Sequence, residues 1–382
     1  MLFLVLKEVI TIKKILFGIT SLTLGGAERV LVDISNKLSE KYDITIFSIY
    51  DNGELKNDLN KNVKFKALYN CRYDELTKLQ KMWIPIKILL FSKIIYNKKI
   101  KQNYDTEIAF LEGPITRLFS TKNKDVHKIA WIHNDIEKVF GNDLKSKIKK
   151  YIDKKIYKKY NDLVFVSQDN MEKFQNIYND LNTENMHVIY NYIDKDLVIK
   201  KSNYNIKVEF DYNSINFLTV CRLVKQKAID RFIRVHSKLI KQGLKHKVYI
   251  IGDGPEKENL QKLIKQENVE DTFILLGKKE NPYPYIKNAN YFCLLSEFEG
   301  YGMVLEEAKI LNKPIIITNT AARECIENYP KALILENSED EIYDGLYKLL
   351  NDNDDKIFNN TQTNNEYDNT EKLQKIIELV GD

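Results

Sequence analysis

The chain has 382 residues, 43% of them hydrophobic and 30% charged, with 59 basic against 54 acidic side chains and a net charge of +5. That length exceeds one hydrophobic core and sets an expectation of two or three domains. The near balance of charge gives no support to nucleic acid as a partner. Cys71, Cys221, Cys293 and Cys325 are scattered, with neither a C-x-x-C pair nor metal-ligand spacing. Free thiols in a reducing cytoplasm are therefore expected.

The first ten residues, "MLFLVLKEVI", are apolar for six positions and then charged at Lys7 and Glu8. The run is too short to span a bilayer and lacks the basic start and small-residue cleavage site of a signal peptide. It reads as an upstream extension or an added edge segment. "KILFGIT" (14–20) is a strand candidate, followed by Gly25-Gly26 and the amphipathic "AERVLVDISNKLSEK". "ITIFSI" (44–49), "TEIAFL" (106–111), "HKIAWIH" (127–133) and "DLVFVS" (162–167) read as further strands. Nearly continuous apolar strands belong in parallel sheets covered on both faces.

After the polar stretch 196–214, read as a linker, the same plan recurs. "INFLTVCRL" leads to the helical "IDRFIRVHSKLIKQG", and "KVYIIGDG" leads to "PEKENLQKLIKQ". "TFILLG", "NYFCLLS", a helix containing Glu307, "KPIIIT" and "KALILE" complete the series. Alternation of strand and helix predicts two doubly wound α/β domains. The first spans 1–195 and the second 215–360, with a C-terminal helix in 361–382 that could pack back on the first. Two such domains in tandem would make a cleft, with the chemistry in loops at the carboxyl ends of the strands.

Those loops hold the candidates. Gly25 and Gly26 separate a strand from a helix, where free N–H groups suit an anion; a plain tight turn accounts for them equally. No G-x-G-x-x-G is present, so a dinucleotide fingerprint is not supported. His133 follows a strand, as a hydroxyl partner or a polar cap. Arg222 and Lys227 follow the strand 215–221, where guanidinium and ammonium suit a diphosphate or, alternatively, solvent. "GDGP" (252–255) reads as turn chemistry. In "SEFEGYGMVLEEA" (296–308), Gly300 and Gly302 allow a loop through Tyr301, Met303 and Val304 to direct N–H groups at a ligand. Glu307 is expected about two turns into the next helix, with Glu306 only a neighbour. Glu299 and Glu307 admit either a ligand grip or a glycosidase-like carboxylate pair. Asp194-Lys195-Asp196 and Asp352-Asn353-Asp354 read as solvated turns, so no metal is expected.

Together, "GGAERVLVDISNKL", "WIHND", "VIYNYID", "CRLVKQKAIDRFI", "IIGDGPEKENLQKLI" and "LLGKKENPYPYIKNANYFCLLSEFEGYGMVLEEAKILNKPIIIT" resemble the retaining nucleotide-sugar glycosyltransferases of family 4, which have the GT-B fold. The resemblance runs across roughly residues 14–330. It implies a hexose or N-acetylhexosamine moved from a nucleotide sugar, with UDP expected, to a saccharide or polyprenyl-linked saccharide in surface polysaccharide synthesis, without a metal. It assigns Gly25 and Gly26 to the donor phosphates and the acceptor, and His133 to the donor sugar. Arg222 and Lys227 would hold the diphosphate, and Glu299 would approach the transferred sugar beside the N–H groups of residues 301–304. Glu307 would bind the ribose, and Lys278 would lie near the base. Cys221 and Ala228 stand where the family commonly has glycines.

"KMWIPIKILLFSKIIYNKKIK" (81–101) and "KSKIKKYIDKKIYKK" (145–159) mix apolar and basic residues. Basic amphipathic helices favour anionic membrane surfaces, and a solvated helix with its isoleucines in the core is the competing reading. Peripheral association with the inner face of the cytoplasmic membrane is the expectation. An epimerase or phosphorylase of the same fold, or a non-catalytic glycan-binding relative, are the alternatives. No pyridoxal lysine for a phosphorylase is identifiable, and the intact Arg222, Lys227, Glu299 and Glu307 speak against a non-catalytic chain.

Overall fold

The computed structural model describes residues 12–121, 123, 125–133, 144–205, 207, 209–352, 358 and 369–381. The apolar start 1–11, Asn134 and Asp135 of "WIHND", and Asn353 and Asp354 of the second Asp-x-Asp pattern lie outside them. The chain divides into two compact units, the first of residues 1–192 with 370–382 and the second of 193–369.

In the first unit, the apolar runs form β1 (Lys14–Ile19), β2 (Asp43–Tyr50), β3 (Lys64–Tyr69), β4 (Thr106–Ala109), β5 (His127–Ile132), β6 (Asp162–Phe165) and β7 (Met186–Val188). They lie parallel in the order β3-β2-β1-β4-β5-β6-β7. The central strands are buried along nearly their whole length, as a sheet covered on both faces requires. The edge strand β3 is only half-buried and alternates lysine with apolar residues, so its run is broken in the sequence. Helices α1 (Gly26–Leu38), α2 (Lys78–Ile95), α3 (Pro114–Phe119), α4 (Leu144–Tyr157) and α5 (Gln168–Ile177) accompany the sheet. Leu16, Phe47, Ile88, Phe119, Phe165 and Phe174 are among the residues of one core cluster.

The second unit opens on α6 (Lys195–Ser202), so the stretch read as a polar linker is in part a helix. Asp194 caps it, its carboxylate accepting from the Leu197 N–H at 2.9 Å. That is a helix start rather than a solvated turn. Strands β8 (Ile215–Val220), β9 (His246–Ile251), β10 (Phe273–Gly277), β11 (Tyr291–Leu294), β12 (Ile315–Thr318) and β13 (Ala332–Leu335) follow. Between them run α7 (Ile229–Lys241), α8 (Lys257–Gln266), α9 (Tyr283–Asn288), α10 (Met303–Ile310) and, after β13, α11 (Glu339–Asp352). The sheet is parallel, in the order β10-β9-β8-β11-β12-β13. In α7 the buried Ile229, Phe232, Ile233, Val235 and Leu239 recur at three- and four-residue spacing, which turns one stripe to the core. The last helix, α12 (Thr370–Gly381), returns to the first unit, where the Lys13 ammonium meets the Gly381 carbonyl at 2.5 Å.

In both sheets the order of strands reverses once, between β1 and β4 and between β8 and β11. Open α/β sheets bind ligands at such switch points, beyond the carboxyl ends of the strands. The loops after these four strands are therefore where chemistry is expected.

Candidate active site

At the switch point of the second unit, the loop after β8 and the loop after β11 are tied together. The Glu297 N–H donates to the Gln226 carbonyl at 2.9 Å, and the Gln226 side chain donates to the Phe298 carbonyl at 2.9 Å. Lys227 forms an ion pair with the buried Glu299, whose same oxygen accepts from the Ser296 hydroxyl at 2.5 Å. Ser296 is itself buried, and its carbonyl accepts from Thr318 on β12 at 2.6 Å. The cation is thus held by a carboxylate that is in turn held by the sheet. Arg222, five residues before Lys227, is exposed and its side chain has no partner among the described residues.

The β8 loop is also stitched to the loop after β9. Leu223 N–H donates to the Asp253 carbonyl at 3.0 Å, and Glu256 N–H returns to the Leu223 carbonyl at 3.1 Å. A Cβ on Gly252 would lie 1.8 Å from the Cys221 carbonyl oxygen, and one on Gly254 2.3 Å from that of Leu223. "GDGP" therefore shapes the loop that carries Arg222, by letting two backbones meet.

Gly302 leads α10 in the left-handed conformation, φ +73°, which glycine adopts at little cost. The N–H groups of Met303 and Val304 at the helix start have no partner among the described residues, and no side chain caps them. Such a start offers free donors and a partial positive charge to an anion or an oxygen. Because α10 begins at Met303, Glu307 sits about one turn in, not two. Its carboxylate accepts from the Tyr283 hydroxyl at 3.1 Å, which fixes the side chain from α9. Glu306, read as a mere neighbour, is an anchor: it is buried, bonded by the Tyr301 hydroxyl, and 3.3 Å from the Lys309 ammonium. Lys278 is exposed at the end of β10, just after Gly277. Gly300 is half-buried between Glu299 and Tyr301.

Arg222, Lys227, Glu299, residues 300–304 and Glu307 are thus carried by loops of one switch point. Gly25, Gly26 and His133 belong to the first unit. Gly25 caps α1 with φ −155°, an extended conformation open to any residue. His133 follows β5; its N–H donates to the Glu112 carboxylate at 2.7 Å, and its ring lies 4.7 Å from that of Phe110. Burial pushes its imidazole down to about 3, so it is neutral at physiological pH. Its Nε2 is buried with no partner among the described residues. Sequence reasoning missed Gln226, Ser296 and Tyr283, each of which positions a candidate. Gln226 and Ser296 adjoin Lys227 and "EFEG", and Tyr283 lies in "NPYPYIKNA", so adjacency was the available signal. Among the described residues, no group of three or more metal-ligating side chains comes together.

The family model "Glycosyl transferases group 1" matches residues 200–368. The N-acetylgalactosamine-N,N'-diacetylbacillosaminyl-diphospho-undecaprenol 4-alpha-N-acetylgalactosaminyltransferase of Campylobacter jejuni is 28% identical over 342 residues, 87% of this chain and 89% of that one. Among solved structures, Anabaena HepE in complex with UDP and glucose superposes with a TM-score of 0.75 at 16% identity, covering 97% of this chain and 99% of that one. A Staphylococcus aureus TarM variant in complex with Fondaparinux, alpha-GlcNAc-glycerol and UDP gives 0.72 at 15% identity, over 97% and 100%. The likeness to HepE and TarM shows the GT-B fold, two Rossmann-like domains in one chain.

Proposed function

We propose that this chain, which belongs to the glycosyl transferases group 1 family and is a glycosyltransferase, moves a hexose or N-acetylhexosamine from a nucleotide sugar, with retention at the anomeric carbon. UDP is the nucleotide we favour, because HepE and TarM were solved with it. The acceptor we favour is a saccharide or lipid-linked saccharide of surface polysaccharide synthesis, by likeness to the undecaprenol-linked substrate in the name of the Campylobacter relative. The second unit is assigned the donor and the first the acceptor. The observation that carries the reading is an exposed Arg222, without a side-chain partner among the described residues, in the same loop as a Lys227 fixed by buried Glu299, at the same switch point as the open start of α10.

Breaking the anomeric bond builds negative charge on the departing diphosphate and positive charge on the sugar. Arg222 would fork onto the phosphate oxygens and Lys227 would add a point charge. The N–H groups of Met303 and Val304 would supply preorganised donors. Glu299 is assigned to the sugar side and to holding Lys227, and Glu307, fixed by Tyr283, to the ribose hydroxyls. Lys278 is assigned to the base, and Gly25 and Gly26 to the phosphates and the acceptor. Neutral His133 would exchange a hydrogen bond with a sugar hydroxyl. With retention, the acceptor attacks from the face the diphosphate leaves, and a leaving phosphate oxygen takes the acceptor's proton. The reading brings no metal, so turnover is expected to persist in excess EDTA; loss that magnesium restores would overturn that part.

Among the described residues no helix is long and apolar enough to cross a membrane. Peripheral association with an anionic membrane surface is the placement we infer from the basic apolar helices of the first unit.

A panel of nucleotide sugars with a saccharide acceptor, followed by nucleotide release and by NMR of the product anomer, tests the assignment. Arg222 is exposed and has no side-chain partner among the described residues, so Arg222→Ala should leave the unfolding midpoint in place. Turnover should fall by about 10²–10³-fold, equivalent to roughly 3–4 kcal/mol of barrier, on the scale of a lost oxyanion-hole donor. Unchanged turnover in a folded variant would remove Arg222 from the site.

A further inference from the structure

Helix α2 is apolar on two faces. Ile84 and Ile88 are buried, while Leu79, Trp83, Leu90, Phe91 and Ile94 are each 48–68% exposed. A helix apolar all round is normally enclosed, and a contiguous apolar patch on a surface marks an interaction site. The charge pattern around it is one-sided. From Leu76 to Tyr104 the chain has seven lysines and no carboxylate. Lys78, Lys87, Lys93, Lys98 and Lys99 pair with no carboxylate among the described residues. At the C-terminal end of α2 a recess of about 210 Å³ has an apolar floor of Leu68, Ile94 and Ile95 and is edged by Lys87, Lys98 and Lys99. The Lys87 ammonium stands 5.8 Å over the Tyr69 ring at its rim.

The other basic helix, α4, differs. Its Lys154 pairs with Asp180 at 2.6 Å, and its Asp153 pairs with Arg117 at 3.0 Å. Lys158, just beyond it, shares Asp180 at 3.2 Å. Among the described residues its exposed large apolar side chains are Ile148 and Tyr151. Part of its charge is already answered within the fold, and its apolar face is smaller.

We propose that the outward face of α2 is a docking surface for an anionic lipid bilayer. The proposal deepens, and rests on, the peripheral placement inferred above. Trp83, Leu90 and their neighbours enter the boundary between headgroups and acyl chains, where an amphipathic indole is favoured. Those lysines meet lipid phosphates, and the recess takes one headgroup, its phosphate against Lys87, Lys98 and Lys99 and the first carbons of its chains on Leu68 and Ile94. Exposed apolar side chains supply the insertion and unanswered positive charge the choice of anionic lipid.

Flotation of the full chain with phosphatidylglycerol vesicles and with phosphatidylcholine vesicles, at low and high salt, tests this. Wild type should float with the anionic vesicles and release at high salt. Trp83→Ser/Leu90→Ser should weaken partitioning by about tenfold or more. Lys87→Ala/Lys98→Ala/Lys99→Ala should weaken it by about 100-fold at low salt. Both variants should keep the wild-type thermal unfolding curve and the wild-type rate on a water-soluble saccharide acceptor. Wild-type flotation of the α2 variants, with loss on substituting Lys149 and Lys150 of α4, would overturn the face while leaving the peripheral placement standing. Absence of wild-type flotation would overturn both. A dimer in sedimentation that Trp83→Ser converts to monomer, with flotation unchanged, would assign the face to a second copy of the chain and overturn the lipid.

Discussion

The two units share a parallel, doubly wound sheet but fill their interiors with different polar chemistry. In the first, Glu107 on β4 and Lys128 on β5 are both buried and form an ion pair at 2.7 Å. Lys128 also donates to the Phe119 carbonyl at 2.8 Å, and the Tyr96 hydroxyl donates to Glu107 at 2.6 Å. Burial pushes the Lys128 ammonium down, and the Glu107 charge opposes that shift. The second unit buries a neutral relay instead. His246 Nδ1–H donates to the Leu244 carbonyl at 2.9 Å, which leaves His246 Nε2 to accept from His236 Nδ1–H at 2.8 Å. His236 Nε2 then accepts from the Thr272 hydroxyl at 2.8 Å. The contrast teaches that one architecture tolerates either solution provided each buried group has its partner. The vulnerabilities differ: the ion pair fails when one partner is removed, and the relay fails when a proton is added.

Removing one partner should have the largest effect. Lys128→Met leaves buried Glu107 without its cation, with the Tyr96 hydroxyl still donating to it, and breaking a buried pair in this way typically costs about 3–5 kcal/mol. Hydrogen exchange followed by mass spectrometry should show lost protection across β4, β5 and the C-terminal end of α2, where Tyr96 is tied to Glu107, with the second unit unchanged. Lys128→Met/Glu107→Leu should recover most of the loss, since an apolar pair of similar volume is often no worse than a buried ion pair. If Lys128→Met alone is silent, the contrast between the interiors is only geometric.

Acid should have the next largest effect. Burial pushes His246 down to about 4, and burial together with the neighbouring His246 pushes His236 down to about 2. Both lie below the ordinary histidine value near 6.5. The unfolded chain therefore takes up these protons first, so the relay's contribution is complete above about pH 6.5 and lost as pH falls toward 4. For His246 alone the loss by pH 4 is on the order of 3 kcal/mol. Denaturant titrations between neutral pH and pH 4 should show this in the second unit. His236→Leu/His246→Leu should flatten that limb, leaving the acid response of the first unit, where desolvation also keeps the half-buried His133 neutral.

What was legible in the sequence follows the same division between runs and partners. Strands buried on both faces, such as β1 and β8, are continuous apolar runs and declare themselves. The edge strand β3 does not, because half of it faces water, and β7 is only three residues long. Helix α6 has few buried residues, Val198 and Ser202, so the segment reads as a linker until its Asp194 cap is seen. In the site, charged residues and glycines in post-strand loops are visible by type and position. Their positioning partners were harder to find, because Ser296, Gln226 and Tyr283 act through single hydrogen bonds that leave no periodic trace. Glu306 shows the limit: one position from Glu307, it points to Tyr301 and Lys309 in the interior, and spacing alone does not tell the two apart.

Glycine placement separates the units once more and carries the smallest expected effect. The first βα loop of the first unit has glycine at the helix cap, Gly25, in a conformation that needs none. The equivalent cap in the second unit is Ala228, held left-handed at φ +47°, ψ +38°, next to Lys227. That conformation costs a non-glycine residue roughly 1–2 kcal/mol, while glycine adds freedom to the unfolded chain that offsets about half of the gain. Ala228→Gly should therefore stabilise the second unit by about 0.5–1 kcal/mol, measured by denaturant titration. Turnover separates the roles of the strain. If the alanine methyl, only 2% exposed, helps fix the loop that aims Lys227, the more stable variant should turn over more slowly. If Glu299 and Gln226 hold that loop unaided, turnover should stay at the wild-type rate. The hydrogen bonds from Gln226 to Phe298 and from Glu297 to Gln226 cross directly between the two loops, and on that geometry the expected result is higher stability with turnover unchanged.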